Sequence, residues 1–278
     1  MSHLNNTHLG SQSIFLQSDK AQVSLSDSHK IFFLNEVINP PPDTAMLLAL
    51  TSFEMPYSMY NFNVGDNDTL DISTNNGTTS ISVGSRNYDA TKLAAKITTL
   101  LATAATTLGT TISCTFDSLS NKFTFVSTNS VNFTILSSST MIKEIGFQNS
   151  LPSQSDNQIL ISPNIANLSG SSSVYVKISN LGIRNVDSRG AINGVISKVN
   201  ITCNPNEFIF FQQQESIYYL IQERNLTHIE IQLTDDKQNN LVLNGGEFSL
   251  TLTIHFAKSI QQTIDPNFLL DKKQNDEE

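Results

Sequence analysis

The 278-residue chain is 38% hydrophobic and only 15% charged, so Ser, Thr, Asn and Gln fill much of the rest, a balance that favours turns and half-exposed strands over long helices. A formal net charge of -9 and a pI near 5.0, with no cluster of Lys or Arg, argue against nucleic-acid binding, where phosphates demand concentrated cations. No apolar run approaches a membrane span and "MSHLNNTHLGSQ" lacks the basic start and apolar core of a secretory signal, which leads us to expect synthesis in a cytosol-like compartment.

Residues 1–28 are polar apart from "SIFLQS" and read as a flexible N-terminal arm that orders on a partner. "KIFFLNEVI" then reads as a strand ending at Pro40-Pro41-Pro42, and "TAMLLALTSFEM" and "SMYNFNV" as two more, separated by Pro56 at an edge or a change of direction. These make residues 29–64 the opening part of a sandwich. From Gly65 the pattern changes: "TLDIS" and "SISVG" form a hairpin with Asn76-Gly77 at its tip. The stretch Val83–Gly109 breaks the strand pattern, because Leu93, Ile97, Leu100, Leu101, Ala104 and Leu108 recur at helical spacing, with Asp89 as N-cap and Gly109 as left-handed stop. Its polar face is mostly Thr, which favours a helix lying on its own sheet over one that docks on a membrane or partner.

"TISCTFDS", "KFTFVST" and "VNFTILS" alternate as strands with one wet face, and "SSTMIKEIGF" reads as a second, smaller helix capped by Ser138 or Ser139 and stopped at Gly146. Residues 65–165 thus read as an inserted α+β domain. Strand alternation returns in "SSVYVKISNLGI", "GVISKVNIT", "EFIFFQQ", "SIYYLIQE", "LTHIEIQLTD" and "GEFSLTLTIHFA", making residues 166–258 the second part of the sandwich and 259–278 an exposed acidic tail. Three strands before the insertion and about six after it need each other. Together they predict a mainly β fold, an antiparallel single jelly-roll sandwich with an inserted small α+β domain.

The chain offers no phosphate loop, nucleophile elbow or paired His of metal-ligand spacing, so we expect neither enzyme activity nor a bound cofactor or metal. His228 and His255, in late strands, could meet across a sheet, but a surface or satisfied core role weighs more. Asp66, Asp68 and Asp71 resemble a calcium loop only loosely, lacking its sixth-position Gly and terminal Glu. Cys114 and Cys203 read as small apolar side chains, a disulfide between them being the lesser alternative.

Particular residues then resemble a known family. "FEMPYSMYNFN" (Phe53–Asn63) is similar to the sf-x-IP-x-S-x-YNI signature of penton and minor capsid proteins of virophages and Polinton-type viruses. "VGSRNYDATKLAAKI" resembles the family's G-x-Y-t-x-x-L-x-x-x-I helix start, and "KFTF" and "EIGF" fall where the family has K-F-T-I and L-G-F. "LTHIEIQLTDDKQNNLVLNGGEFSLTLTI" resembles its closing strands, with Phe248 where Trp is usual; Tyr57 stands where Asn commonly follows the Pro. The resemblance spans residues 29–256 and carries Pro56, Tyr60, Asn61, Tyr88, Leu93, Gly146, Phe147, Gly245 and Phe248 as structural motif residues. The first three would shape a strand junction, while Tyr88 and Leu93 would pack the insertion.

The resemblance implies a capsomer that forms homopentamers at icosahedral vertices of a virion assembled in the host cytoplasm. Its partners would be further copies of itself, the major capsid protein, and a vertex fibre or host-surface receptor. The insertion would face outward, and exposed loops such as "TNNGTT" would be the recognition candidates. The alternatives are another minor capsid or vertex-spike protein, a carbohydrate-binding jelly roll, and a glycan hydrolase.

Overall fold

The structure is a computed structural model that describes residues 8–148, 153–183, 194–215 and 217–258. In chain order the first strands are β1 (His8–Gln17), β2 (Val23–Ser26), β3 (His29–Ile38) and β4 (Thr44–Pro56). A second set follows: β5 (Thr69–Thr74), β6 (Thr78–Ser82), helices α1 (Ala90–Thr103) and α2 (Ala105–Leu108), β7 (Ile112–Asp117), β8 (Lys122–Ser127), β9 (Phe133–Ile135), β10 (Ser153–Gln154) and β11 (Ile159–Ile161). The last are β12 (Ser173–Ile178), β13 (Val195–Asn200), β14 (Phe208–Gln212), β15 (Tyr219–Leu220), β16 (Leu226–Thr234) and β17 (Ser249–Lys258). Contacts divide the chain into one unit of Met1–Tyr57 with Val174–Glu278 and another of Ser58–Ser173.

The first unit has two sheets, β1-β17-β4-β14 with β15 also on β4, and β13-β12-β16-β3-β2. β1–β17, β17–β4, β4–β14, β4–β15, β12–β16, β16–β3 and β3–β2 all pair antiparallel. Leaving aside the short β2 and β15, these are the eight strands of a jelly roll in two sheets of four. Alternation explains which side of each strand is buried. Leu250, Leu252 and Ile254 of β17, Ile229, Ile231 and Leu233 of β16, and Val174, Val176 and Ile178 of β12 are all core residues. They join Leu48, Leu50, Phe53 and Met55 of β4. The fold is the single jelly-roll sandwich with an α+β insertion that the alternation predicts.

The N-terminal segment departs from expectation. Instead of a loose arm, residues 8–26 hold β1 and β2, and β1 runs along β17 from His8 opposite Ala257 to Gln17 opposite Ser249. The physical reason is that a strand paired through its backbone, with one face wet, needs few apolar residues. Ile14 and Leu16 are buried, while Ser13, Phe15 and Gln17 point outward. Residues 1–7 of the expected arm, and the acidic tail 259–278, lie outside the described residues.

The second unit has the sheets β10-β9-β5-β6 and β11-β8-β7, with one core of Phe62, Leu70, Ile72, Leu93, Ile97, Phe123, Phe125, Phe133, Ile145, Phe147 and their neighbours. Asp89 accepts the Lys92 amide at 2.8 Å as the cap of α1, and Leu93, Ala94, Ile97 and Leu101 are buried. The helix is not continuous: Ala104, at φ -94 and ψ 4, separates α1 from α2, and Gly109 ends α2 in the left-handed region at φ 66. The Thr98 hydroxyl accepts the Cys114 amide at 2.8 Å and sits 3.0 Å from the Cys114 carbonyl. It thereby satisfies the outer edge of β7 at that residue.

Two more expectations are corrected. "SMYNFNV" is a loop and not a strand, with only the Phe62–Arg86 bridge extended, because side-chain amides take up its backbone groups. "SSTMIKEIGF" forms turns in place of a helix. The Ser139 hydroxyl, expected to cap it, instead accepts the Asp71 amide of β5 at 2.8 Å and donates to the Leu136 carbonyl at 2.7 Å.

Candidate functional site

Asn61 is the centre of the resembling motif. Its Nδ2 donates to the carbonyls of Tyr88 and Leu168, both at 2.9 Å, and its Oδ1 accepts the Tyr88 amide at 2.9 Å. Its own amide donates to Asn87 Oδ1 and its carbonyl accepts from Asn67 Nδ2, each at 2.9 Å. One short side chain thus ties three separate segments. Tyr88 donates its hydroxyl to the Val83 carbonyl at 2.8 Å and sets its ring edge-on to Phe62, while the Tyr60 carbonyl accepts from Asn63 Nδ2 at 3.2 Å.

Gly146 sits at φ 86, where a Cβ would lie 2.4 Å from the Asn164 carbonyl oxygen. The Phe147 amide closes the turn onto the Ile142 carbonyl at 2.8 Å, and its ring packs edge-on against Phe125. In the first unit Pro56 ends β4 opposite Phe208, and the buried Tyr57 that follows donates its amide to the Glu207 carbonyl at 2.7 Å. Phe248 packs against Phe53, and its amide donates to Ser18 Oγ while its carbonyl accepts the Ser18 amide, both at 2.9 Å. Gly245 lies in the turn before β17 with φ 80. The structure therefore brings Asn61, Tyr88 and Phe62 together, and places the remaining motif residues at strand ends, turns and core positions.

The acidic residues singled out from the sequence serve the scaffold. Asp68 is buried and accepts the Gly65 amide at 2.8 Å and the Ser82 hydroxyl, and Asp71 accepts from Ser138 at 2.6 Å. Among the described residues, no group of three or more His, Cys, Asp or Glu gathers in a metal-binding arrangement. His228 and His255 lie in different sheets and do not form the cross-sheet pair considered above. His228 stacks near Phe33, whereas His255 meets the edge of Tyr218. A closer acid–histidine contact, His29 Nε2 to Glu230 Oε1 at 2.6 Å, joins β3 to β16. Both cysteines are free thiols. Burial pushes the Cys114 thiol far above its ordinary range, so it stays protonated and inert.

What the sequence reading missed is an aromatic surface on the first sheet. Phe15, Phe208 and Phe210 are 77%, 69% and 65% exposed. They rim a face that also carries hydroxyls, with Thr51 bonded to Thr253 at 2.8 Å and Ser52 to Thr251 at 3.0 Å. An open groove of about 510 Å³ includes Phe15, Lys20, Phe33, Glu54 and Phe210 in its lining. The signal was legible in "IFL" and "FIFF", where Phe falls on the wet side of the alternation.

By sequence the chain matches no protein-family model and no curated protein. By structure it is similar to the crystal structure of the selenomethionine-labelled mavirus penton protein. The match has a TM-score of 0.51 at 14% identity and covers 88% of this chain and 99% of that one. The two chains share a fold. That shared fold is the jelly roll together with most of the remaining chain, since 88% coverage exceeds what the first unit alone could supply.

Proposed function

We propose that this chain is a structural protein of a virion, a penton capsomer whose copies assemble as a pentamer at the icosahedral vertices. The observation that carries the reading is the near end-to-end match with a penton protein, including nearly all of that chain. The placement of polar residues supports it: Asn61, Asp68, Asp71 and Asp235 are engaged in closing loops and turns. This is the pattern of a rigid scaffold, and on this reading the protein has no catalytic role. Its partners are further copies of itself and the neighbouring major capsid protein, with a vertex fibre or a host receptor on the exposed side. Its place is the capsid of a virus assembled in the host cytoplasm.

The test is the mass of the purified protein by light scattering, against a subunit of 30.6 kDa. Five subunits support the penton reading, since fivefold cyclic symmetry closes only through a heterologous interface. A trimer moves the chain to another capsid position, such as a vertex spike. A protein that stays monomeric in the presence of the major capsid protein overturns the penton reading.

A further inference from the structure

Among the described residues, the sheet β1-β17-β4-β14 ends on two open edges. On β14 the bonds Tyr57 N to Glu207 O and Gln213 N to Thr51 O fix which residues bond to β4. The alternation of an antiparallel ladder then turns the backbone N–H and C=O of Phe208, Phe210 and Gln212 away from it. On β1 the bond from Ser18 N to Phe248 O sets the same alternation and turns those of Ser13, Phe15 and Gln17 outward. None of these six backbones has a partner among the described residues. Long open edges invite pairing, and charged or Pro residues are the usual protection. Both edges carry Phe instead.

We infer that these two edges are complementary: β14 of one copy pairs with β1 of the next, joining the sheets of neighbouring subunits into one continuous ladder. The inference rests on the ring assembly proposed above and names the surface that makes it. Polarity supports a second copy as the occupant. Strands alternate in direction across β1-β17-β4-β14, so β1 and β14 run oppositely. Copies related by rotation about an axis along the strands therefore bring β14 against β1 antiparallel, the ladder the sheet already uses.

The contact is heterologous, one flank against a different flank, which is what cyclic closure requires. Area supports it as well. Phe15 lies on one flank; Phe208, Phe210 and Leu220 lie on the other, and all four are more than half exposed. They offer about a third of the ~1,600 Å² of a standard interface before backbone and polar atoms are counted. Phe15 against Phe208 or Phe210 also makes the aromatic cross-strand pair that sheets favour.

The experiment blocks each edge separately. One variant carries Ser13→Pro with Phe15→Lys, the other Phe208→Lys with Phe210→Lys. All four positions point outward, so circular dichroism and thermal midpoint should stay close to wild type. Light scattering on a multimeric wild type should find each variant monomeric. An equimolar mixture retains one intact β1 and one intact β14 per pair, and should give dimers of one copy of each but no rings. Folded variants that both keep the wild-type mass overturn the edge pairing and leave the ring reading standing. A wild type that is monomeric with the major capsid protein present overturns both.

Discussion

The side chain of Asn61 and the backbone of Tyr88 exchange two hydrogen bonds of 2.9 Å, the amide copying the pairing of one strand residue with another. A third bond, to Leu168, ties in a distant segment. Asn61→Ala removes all three and leaves part-buried backbone groups without partners, at a cost of about 3 kcal/mol. Asn61→Asp keeps only the acceptor and faces a carboxylate toward two carbonyls, so it should destabilise at least as much at neutral pH. Urea unfolding followed by a probe in the second unit checks both, and wild-type midpoints would refute the hub role.

Gly146 and Gly245 both have positive φ, but only Gly146 is crowded: its Cβ would meet the Asn164 carbonyl at 2.4 Å, whereas Gly245 has open space. Gly245→Ala should cost about 1–2 kcal/mol from backbone conformation alone. Gly146→Ala adds a clash with backbone that must shift, and we expect about 3 kcal/mol or more. Equal losses in denaturant titrations would show that Asn164 yields freely.

Ser18 and Phe248 make β1 part of the sandwich. Ser18→Ala strands the buried Phe248 amide and should cost about 1–3 kcal/mol. Deleting residues 1–20 uncovers the edge of β17 that faces β1 and should yield insoluble protein. A soluble, cooperatively unfolding deletion would return this segment to the status of an arm.

Asp89 links helix α1 to pH. A side-chain hydrogen bond from Lys92, aided by the Lys92 amide, holds the Asp89 carboxyl below the usual carboxylate range. The folded state therefore favours the ionised form, and its contribution is complete above the ordinary carboxylate pKa. It is lost as pH falls through the lowered folded-state value. Asn also caps helices but does not titrate in this range, so the gap in urea midpoint between wild type and Asp89→Asn should change only on that acid limb. A gap independent of pH would refute the assignment.

Much of the fold was legible because burial imposes a period. The spacing of Leu93, Ile97 and Leu101 gave the helix, and the alternation in β16 and β17 gave strands with one wet face. The rest escaped where backbone partners outweighed side-chain pattern. Among the described side chains of β1 the buried apolar ones are Ile14 and Leu16, and residues 58–67 are held as a loop by Asn61, Asn63 and Asn67. Motif resemblance pointed to Asn61 and Tyr88, yet nothing in the sequence assigns the hydrogen bonds between them. Phe208 and Phe210 read as strand residues, but that β14 is an edge is a property of strand order, settled by segments distant in the chain.

The position of β17 between β1 and β4 also sets an order of events in time. Leu250 pairs with Phe53 and Leu16, so β1 and β4 wait for a strand made about 200 residues after them. At about 5–20 residues per second that interval is about 10–40 s. The unit Ser58–Ser173 has its own core and emerges in between, free to fold while the sandwich is still half made. On ribosome-stalled chains that end before β17, protease should spare this middle segment and cut within β1–β4, so the insertion is the older structure in the life of each molecule.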